Sequence, residues 1–343
     1  MHDSLAISHG ENLLVGELLK QQHRLLGAIC FSVSESESRL LAEFETPCLN
    51  VPLPRLDTLE AVCEVWYGRQ PLKQGWCGDI HYCHDDSLLF GVITLSESLV
   101  QPDTGKTPLQ QATESAYRQI FALLQQAHFP YLFRVWNYMA DINIHSFGEV
   151  RYQQFNRGRQ DAFIAHGRDV VGNVPAACAL GYAEGPLAIA FLAGTVAPLN
   201  LENPRQTSAC LYPAQYGPRS PTFSRASLVR LQQAEMLFIS GTASIVGHAT
   251  LHPADVVAQT RETMANIEAV LTEANRHAAQ PGFDLTCLSY RVYLRHPADL
   301  ALIRAELARC VGGKLKAVYL QADVCRQDLL IEIEATGMLA SGL

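Results

Sequence analysis

The sequence predicts an α/β chain of the α+β kind, with mixed sheets that carry helices on one face and two similar halves. Three observations lead there. Helix-like and strand-like segments follow one another in the same order twice along 343 residues, a length that accommodates two domains of ordinary size. Two long segments read as helices: 107–128, with Leu109, Ala112, Ala116, Ile120, Leu123 and Leu124 near helical spacing, and 253–278. The strand after each reads alike, Leu132-Phe133-Arg134-Val135-Trp136 against Ser289-Tyr290-Arg291-Val292-Tyr293, the mark of an internal duplication. The halves are expected to divide at 170, giving units of 1–170 and 171–343 with a cleft near their junction.

Residues 1 to about 55 read as irregular strands and loops, with extended stretches at 12–18 and 25–32 and a stop at Pro52 and Pro54. Strands are expected at 59–67 and 88–95, with His81 to Asp86 as the turn between them. His81, His84 and Asp85 could ligate a metal, but turn residues are the simpler account. Thr107 and Pro108 start the first long helix, followed by a strand at 131–138 and a helix at 149–165 that carries Arg157 and Arg159. In the second half, strands are expected at 187–193, 226–234 and 236–246, and Asp255 sits in the first turn of the helix 253–278. A strand at 286–294, a helix at 297–310 ending at Gly312, and strands at 317–322 and 330–335 complete it.

Composition narrows the partners. No apolar run reaches the ~18 residues of a membrane helix, and Met1-His2-Asp3-Ser4 lacks the basic and apolar parts of a signal peptide. A cytoplasmic location without a membrane partner is expected. The ten cysteines are scattered without a Cys-x-x-Cys pair, so mostly reduced thiols and no structural metal are expected. A formal charge of -8 disfavours nucleic acid and requires that any anionic ligand meet a local arginine cluster.

From Leu330 onward the chain alternates apolar and charged, so a strand there presents Glu332 and Glu334 on one face and Ile331 and Ile333 on the other. Such a face is either a solvated edge or the wall of a polar cleft. Under the duplication its counterpart is 186–193, which has no acid, and that asymmetry favours one functional cleft per chain. Between the halves, 208–226 is rich in proline and carries Tyr212, Tyr216, Arg219 and Arg225. A loop with guanidinium forks and phenolic donors suits carboxylates, although a crossover with exposed arginines would read the same way. Arg134, Arg157 and Arg159 would add positive charge if the halves face each other. Dinucleotide and phosphate-loop fingerprints are absent, as is a Gly-x-Ser-x-Gly elbow, and no cofactor is implied. Ser240-Gly241-Thr242 reads as a place where a ligand approaches backbone.

Phe238-Ile239-Ser240-Gly241-Thr242-Ala243 together with Leu330-Ile331-Glu332-Ile333-Glu334 resembles the Rid (YjgF-like) superfamily. Within it, 134–138, the Tyr212 to Arg225 loop and Cys325 seven residues before Glu332 resemble the chorismatases, over almost the whole chain. The resemblance implies Rid-like halves, the C-terminal one better preserved. It also implies a substrate, chorismate, cleaved to pyruvate and either a hydroxybenzoate or a dihydroxycyclohexadiene carboxylate. Glu332 falls on the catalytic acid and Cys325 on a cysteine found in the hydroxybenzoate-forming members, with Gly241 and Ala243 on the small-residue strand. Tyr212, Tyr216 and Arg225, then Arg134 and Arg157, fall to substrate binding. The expected products are 3-hydroxybenzoate with 4-hydroxybenzoate beside it; the alternatives are the diene diol, a Rid-type enamine or imine hydrolase, and a metabolite-binding protein. Such a chain would be a monomer or a homotrimer.

Overall fold

In the computed structural model, which describes residues 9–98, 105–232, 234–313 and 315–340, the chain forms three large sheets rather than two. The first comprises β1 (His9–Leu13), β2 (Leu25–Phe31), β3 (Cys48–Val51) and β4 (Val62–Tyr67), with α1 (Val15–Gln21) and α2 (Glu35–Ala42) between them, in the order β1-β4-β2-β3. The second is opened by β5 (Lys73–Cys77), β6 (Ile80–His84) and β7 (Leu88–Leu95). It continues through α3 (Pro108–Ala127), β8 (Tyr131–Ala140), a small hairpin β9 (His145–Ser146) and β10 (Glu149–Val150), α4 (Arg151–Ala165), β11 (Ala176–Tyr182) and β12 (Leu187–Gly194). Its order is β11-β8-β12-β7-β6-β5. The third holds β13 (Leu199–Leu201), β14 (Ala226–Arg230) and β15 (Ala234–Thr242), then the hairpin β16 (Ile245–Val246) and β17 (Ala249–Thr250), α5 (Val256–His277), β18 (Leu288–Leu294), α6 (Leu300–Val311), β19 (Lys316–Gln321) and β20 (Ile331–Ala340). Its order, β13-β14-β15-β20-β18-β19, repeats that of the second sheet strand for strand.

The first sheet is the same pattern without its leading hairpin. In each unit a strand, a helix, a strand, a helix and two further strands give one parallel pair, β2–β3, β8–β11 or β18–β19, and an antiparallel last strand beside it. Residues 9–67, of which the part up to about 55 is expected to be irregular strands and loops, are therefore a third, shortened repeat. The division expected at 170 falls inside the second unit, because β11 and β12 hydrogen-bond to β8; the sheet changes between Gly194 and Leu199. The stretch 187–193, expected to open a second half, is an interior strand of the middle sheet.

The three sheets turn one face toward a shared core and carry their helices outside. The shared core takes Phe31 and Trp66 from the first unit, Phe90, Trp136 and Tyr138 from the second, and Phe238 and Tyr293 from the third. Trp66 lies 5.7 Å from Trp136 and 5.9 Å from Phe238, ring centroid to ring centroid, so one aromatic ties all three units. Each helical layer has its own apolar cluster on the outer side.

Local chemistry sets the element ends. Thr107 caps α3 by accepting from the amide of Gln110, Pro108 opens the helix, and His128 closes it in the left-handed region. Asp255 caps α5 by accepting from Ala258 N, and Gly312 follows α6 at φ +65°. His81 to His84 is strand rather than turn; the turn is made by Asp85, whose Oδ1 accepts from the amides of Ser87 and Leu88 at 2.7 Å each. Asp85 is thus committed to backbone, and His81 stacks on Trp76 at 4.5 Å. Eight cysteines carry free thiols, while Cys30 and Cys63, opposite each other on β2 and β4, are joined as a disulfide that spacing alone could not reveal. Among the described residues no helix is long and apolar enough to cross a membrane.

Candidate active site

A cavity of about 260 Å³ opens where the second unit meets the third. Besides backbone bonds such as Ser224 N to Pro175 O, two serines tie the joint: Ser240 Oγ accepts from Ala177 N at 2.9 Å and donates to Ser224 O at 2.6 Å, and Ser227 Oγ accepts from Ala176 N at 3.0 Å. Edge strand β11 is thereby fastened to β14 and β15, and Ala177, Cys178 and Ala179 become one wall of the cavity.

Glu332 forms another part of the wall. Strand β20 lies between β15 and β18, and both of its faces are buried: Ile331 and Ile333 enter the core beneath α5 and α6, and Glu332 and Glu334 face inward at 4% exposure each. The solvated-edge reading of this strand therefore fails. Gly241 makes room for the acid, since a Cβ there would come to 2.0 Å from Glu332 Oε1. It lies at the irregularity in the β15–β20 register between Ile239 and Thr242.

The two acids have opposite fates. Glu334 accepts Arg134 Nη2, Arg291 Nη1 at 2.8 Å and the Tyr293 hydroxyl at 3.0 Å. Burial alone would raise its pKa, but Arg291 and Arg134 outweigh that and hold it below the ordinary value. Glu332 is pushed from 4.5 up to about 8, first by burial and then by the Glu334 charge, with Arg134 opposing. Paired carboxyls driven apart in this way give one ionised group and one acid that keeps its proton near neutrality.

Around Glu332 the cavity is cationic. Arg225 is 5% exposed; its Nη2 donates to Thr207 O at 2.7 Å and to the Tyr212 hydroxyl at 2.9 Å, and its Nε–H has no partner. Arg159, 2% exposed, donates from Nη2 to Asn156 Oδ1 at 3.1 Å and likewise keeps a buried Nε–H unpaired. Arg326 lies over the Tyr216 ring at 3.9 Å and donates to His248 O at 2.9 Å. Buried donors without acceptors are costly in a closed protein and fit a site that receives an anion.

The sequence of this chain matches, over residues 64–193, the family model described as the N-terminal part of FkbO/Hyg5-like chorismatases. A 3-hydroxybenzoate synthase of Streptomyces hygroscopicus is 36% identical over 309 residues, spanning 86% of this chain and 88% of its own. A chorismatase of the same organism is 36% identical over 287 residues, 82% of this chain and 80% of its own. The crystal structure of a chorismatase superposes with a TM-score of 0.80 at 29% identity, covering 97% of this chain and all of that one. This chain belongs to the chorismatase family.

Of the residues that the sequence assigned to a chorismatase site, Glu332, Cys325, Tyr212, Tyr216, Arg225, Gly241 and Ala243 all border the cavity. Cys325 packs in a small apolar cluster with Ala243, Ile245, Val324 and Leu329. Burial, then the nearby Glu332, pushes its thiol up to about 12, so it is a neutral wall group and not a nucleophilic thiolate. Two arginines, Arg134 and Arg157, do not border the cavity. Arg134 is buried against Glu334, to which its Nη2 is bonded, while its Nη1 has no partner. Arg157 lies on the outer face of α4, 3.3 Å from Glu149. The cation that α4 supplies is Arg159. It falls in the apolar stripe Phe155, Ala162 and Phe163, spaced three and four residues apart, and a charge within such a stripe is a signal the sequence did contain. Gly158 lets α4 press on α3, since a Cβ there would meet Gln110 O at 2.3 Å. Tyr152, Gln206 and Arg326 are further cavity residues without a sequence signal of their own.

Proposed function

We propose that this chain cleaves chorismate to pyruvate and 3-hydroxybenzoate. The observation that carries the reading is a buried carboxyl, Glu332, that retains its proton to about pH 8 in a cavity whose arginines have unpaired buried donors. Chorismate is a dianion, and Arg159 and Arg225 bind its carboxylates while Tyr212 holds Arg225 in place. Arg326, stacked on Tyr216, adds positive charge at the mouth.

Glu332 transfers its proton to the methylene carbon of the enolpyruvyl ether, which generates an oxocarbenium-like centre. The ring hydroxyl then gives its proton back to the Glu332 carboxylate as its oxygen forms a bond to the neighbouring ring carbon, the ether C–O bond breaks, and the ether oxygen leaves as the keto oxygen of pyruvate. The epoxide-like ring product opens and aromatises. Pyruvate and hydroxybenzoate together contain the atoms of chorismate alone, so no water is consumed. Cys325 and Ala243 form a dry wall there that disfavours water, whose attack would lead to the diene diol instead. Opening the epoxide at its other C–O bond gives 4-hydroxybenzoate, the expected minor product.

The test is incubation of the purified chain with chorismate, with pyruvate measured enzymatically and the ring product resolved by chromatography. Hydroxybenzoate in amounts equal to pyruvate is expected. Absence of pyruvate ends this reading; diene diol as the main product ends its second half. Because three repeats already close around one core within a chain, the working form is proposed to be a monomer, to be checked by sedimentation. The eight free thiols fit a cytoplasmic setting.

A further inference from the structure

Glu64 belongs to the first unit, and it does not border the cavity. Its carboxylate accepts Arg291 Nη2 from β18. Arg291 Nη1 donates in turn to Glu334 Oε1 at 2.8 Å, and Arg134 Nη2 from β8 takes the other oxygen of Glu334. Four side chains, Glu64, Arg291, Glu334 and Arg134, thus alternate in sign across all three units and sum to zero charge. None of the four is more than 15% exposed. The hydroxyls of Tyr138 and Tyr293 brace Arg291 at 3.0 and 3.3 Å.

We propose that Glu64 is a positioning residue for the proton transfer: through Arg291 it sets the charge and orientation of Glu334, which stands on the same strand face as Glu332, two residues away. The inference rests on the reading above that Glu332 is the acid. Without the Glu64 charge, the row carries one excess positive charge, and Arg291 turns wholly to Glu334. The negative field that Glu334 projects onto Glu332 is then more fully offset, so Glu332 ionises more readily and loses its proton at lower pH.

The other groups facing Glu332 leave this balance to the row. Cys178 on β11, Cys325 before β20 and Tyr152 on α4 are all kept neutral by burial, which raises each. Arg134 reaches it from β8, and Arg159, Arg225 and Arg326 line the same cavity. Those cavity cations have no bond to Glu64. A buried ion row can also be no more than internal cement, and losing one member would then cost stability alone. A pH profile separates the two.

The experiment measures kcat/KM for chorismate from pH 6 to 10 in wild type, Glu64→Gln and Glu64→Asp. The wild-type rate is expected to fall through about pH 8. In Glu64→Gln the fall comes about one pH unit lower, and Glu64→Asp, which keeps the charge, returns most of the way to wild type. A folded Glu64→Gln protein whose profile superposes on wild type overturns the inference. If that variant does not fold, Arg291→Lys, which keeps a charge but cannot bond both carboxylates as a fork, is read in the same way; an unmoved limb overturns it. A wild type with no alkaline limb would instead refute Glu332 as the acid, a different failure from a limb that is present and does not move.

Discussion

Replacing Glu332 by Gln should abolish turnover and make the protein more stable. Raising a carboxyl from 4.5 to about 8 means that the folded state binds this proton more tightly than the unfolded chain does. Between those two values the native state holds more protons, so its stability falls as pH rises; below about 4.5 the penalty vanishes, and above about 8 it is constant. At about 1.4 kcal/mol for each tenfold change in proton affinity, the full penalty is roughly 5 kcal/mol, an upper figure for a group free to relax. Glutamine imitates the protonated acid at every pH and avoids it. The variant should therefore match wild type near pH 4.5 and exceed it by a few kcal/mol at pH 9. Paired scanning calorimetry of the two proteins across this range measures the gap, and groups common to both cancel in the difference. A gap that does not widen with pH, or a variant less stable than wild type at pH 9, would show that Glu332 is not held in the dry, acid-flanked position described.

Gly241→Ala places a methyl group where Glu332 Oε1 sits, so the carboxyl must move; pyruvate release should fall at least tenfold while the circular dichroism spectrum is kept. Arg159→Gln should raise KM for chorismate by one to two orders of magnitude, whereas Arg157→Gln, on the outer face of the same helix, should leave steady-state kinetics unchanged. Cys325→Ala opens the dry wall beside Ala243 and should shift product toward the diene diol, as read by chromatography, more than it lowers total pyruvate; an unchanged aromatic product would remove the thiol from product choice.

The acid was legible in the sequence because a period of two puts Glu332 and Glu334 on one face and the related strand lacks both. In the structure β12 pairs Trp136 with Ala190 and Arg134 with Leu192, as β20 pairs Tyr293 with Glu332 and Arg291 with Glu334, so the apolar residues stand where the acids would. The partner of Arg134 was not legible, since Glu334 lies 200 residues away and only the packing of two sheets brings them together. The first unit is not legible as a repeat because its elements are short, down to the four residues of β3 and the seven of α1, too few for a period to emerge. Strands β5 and β11 carry no strand signal for want of β-branched residues: Lys-Gln-Gly-Trp-Cys and Ala-Ala-Cys-Ala-Leu-Gly-Tyr owe their conformation to neighbours rather than to propensity.

Joining three repeats end to end frees each seam to change by itself. In a ring of identical subunits every substitution appears at all three junctions, so an acid beside one cavity is an acid beside three. Backbone joins both seams of the third unit, with Gly181 N donating to Asp323 O toward the second unit and Leu56 N to Tyr319 O toward the first, but the seam with the second unit also holds the cavity of Glu332. Covalent linkage thus lets one junction acquire chemistry without the same change being imposed on the others.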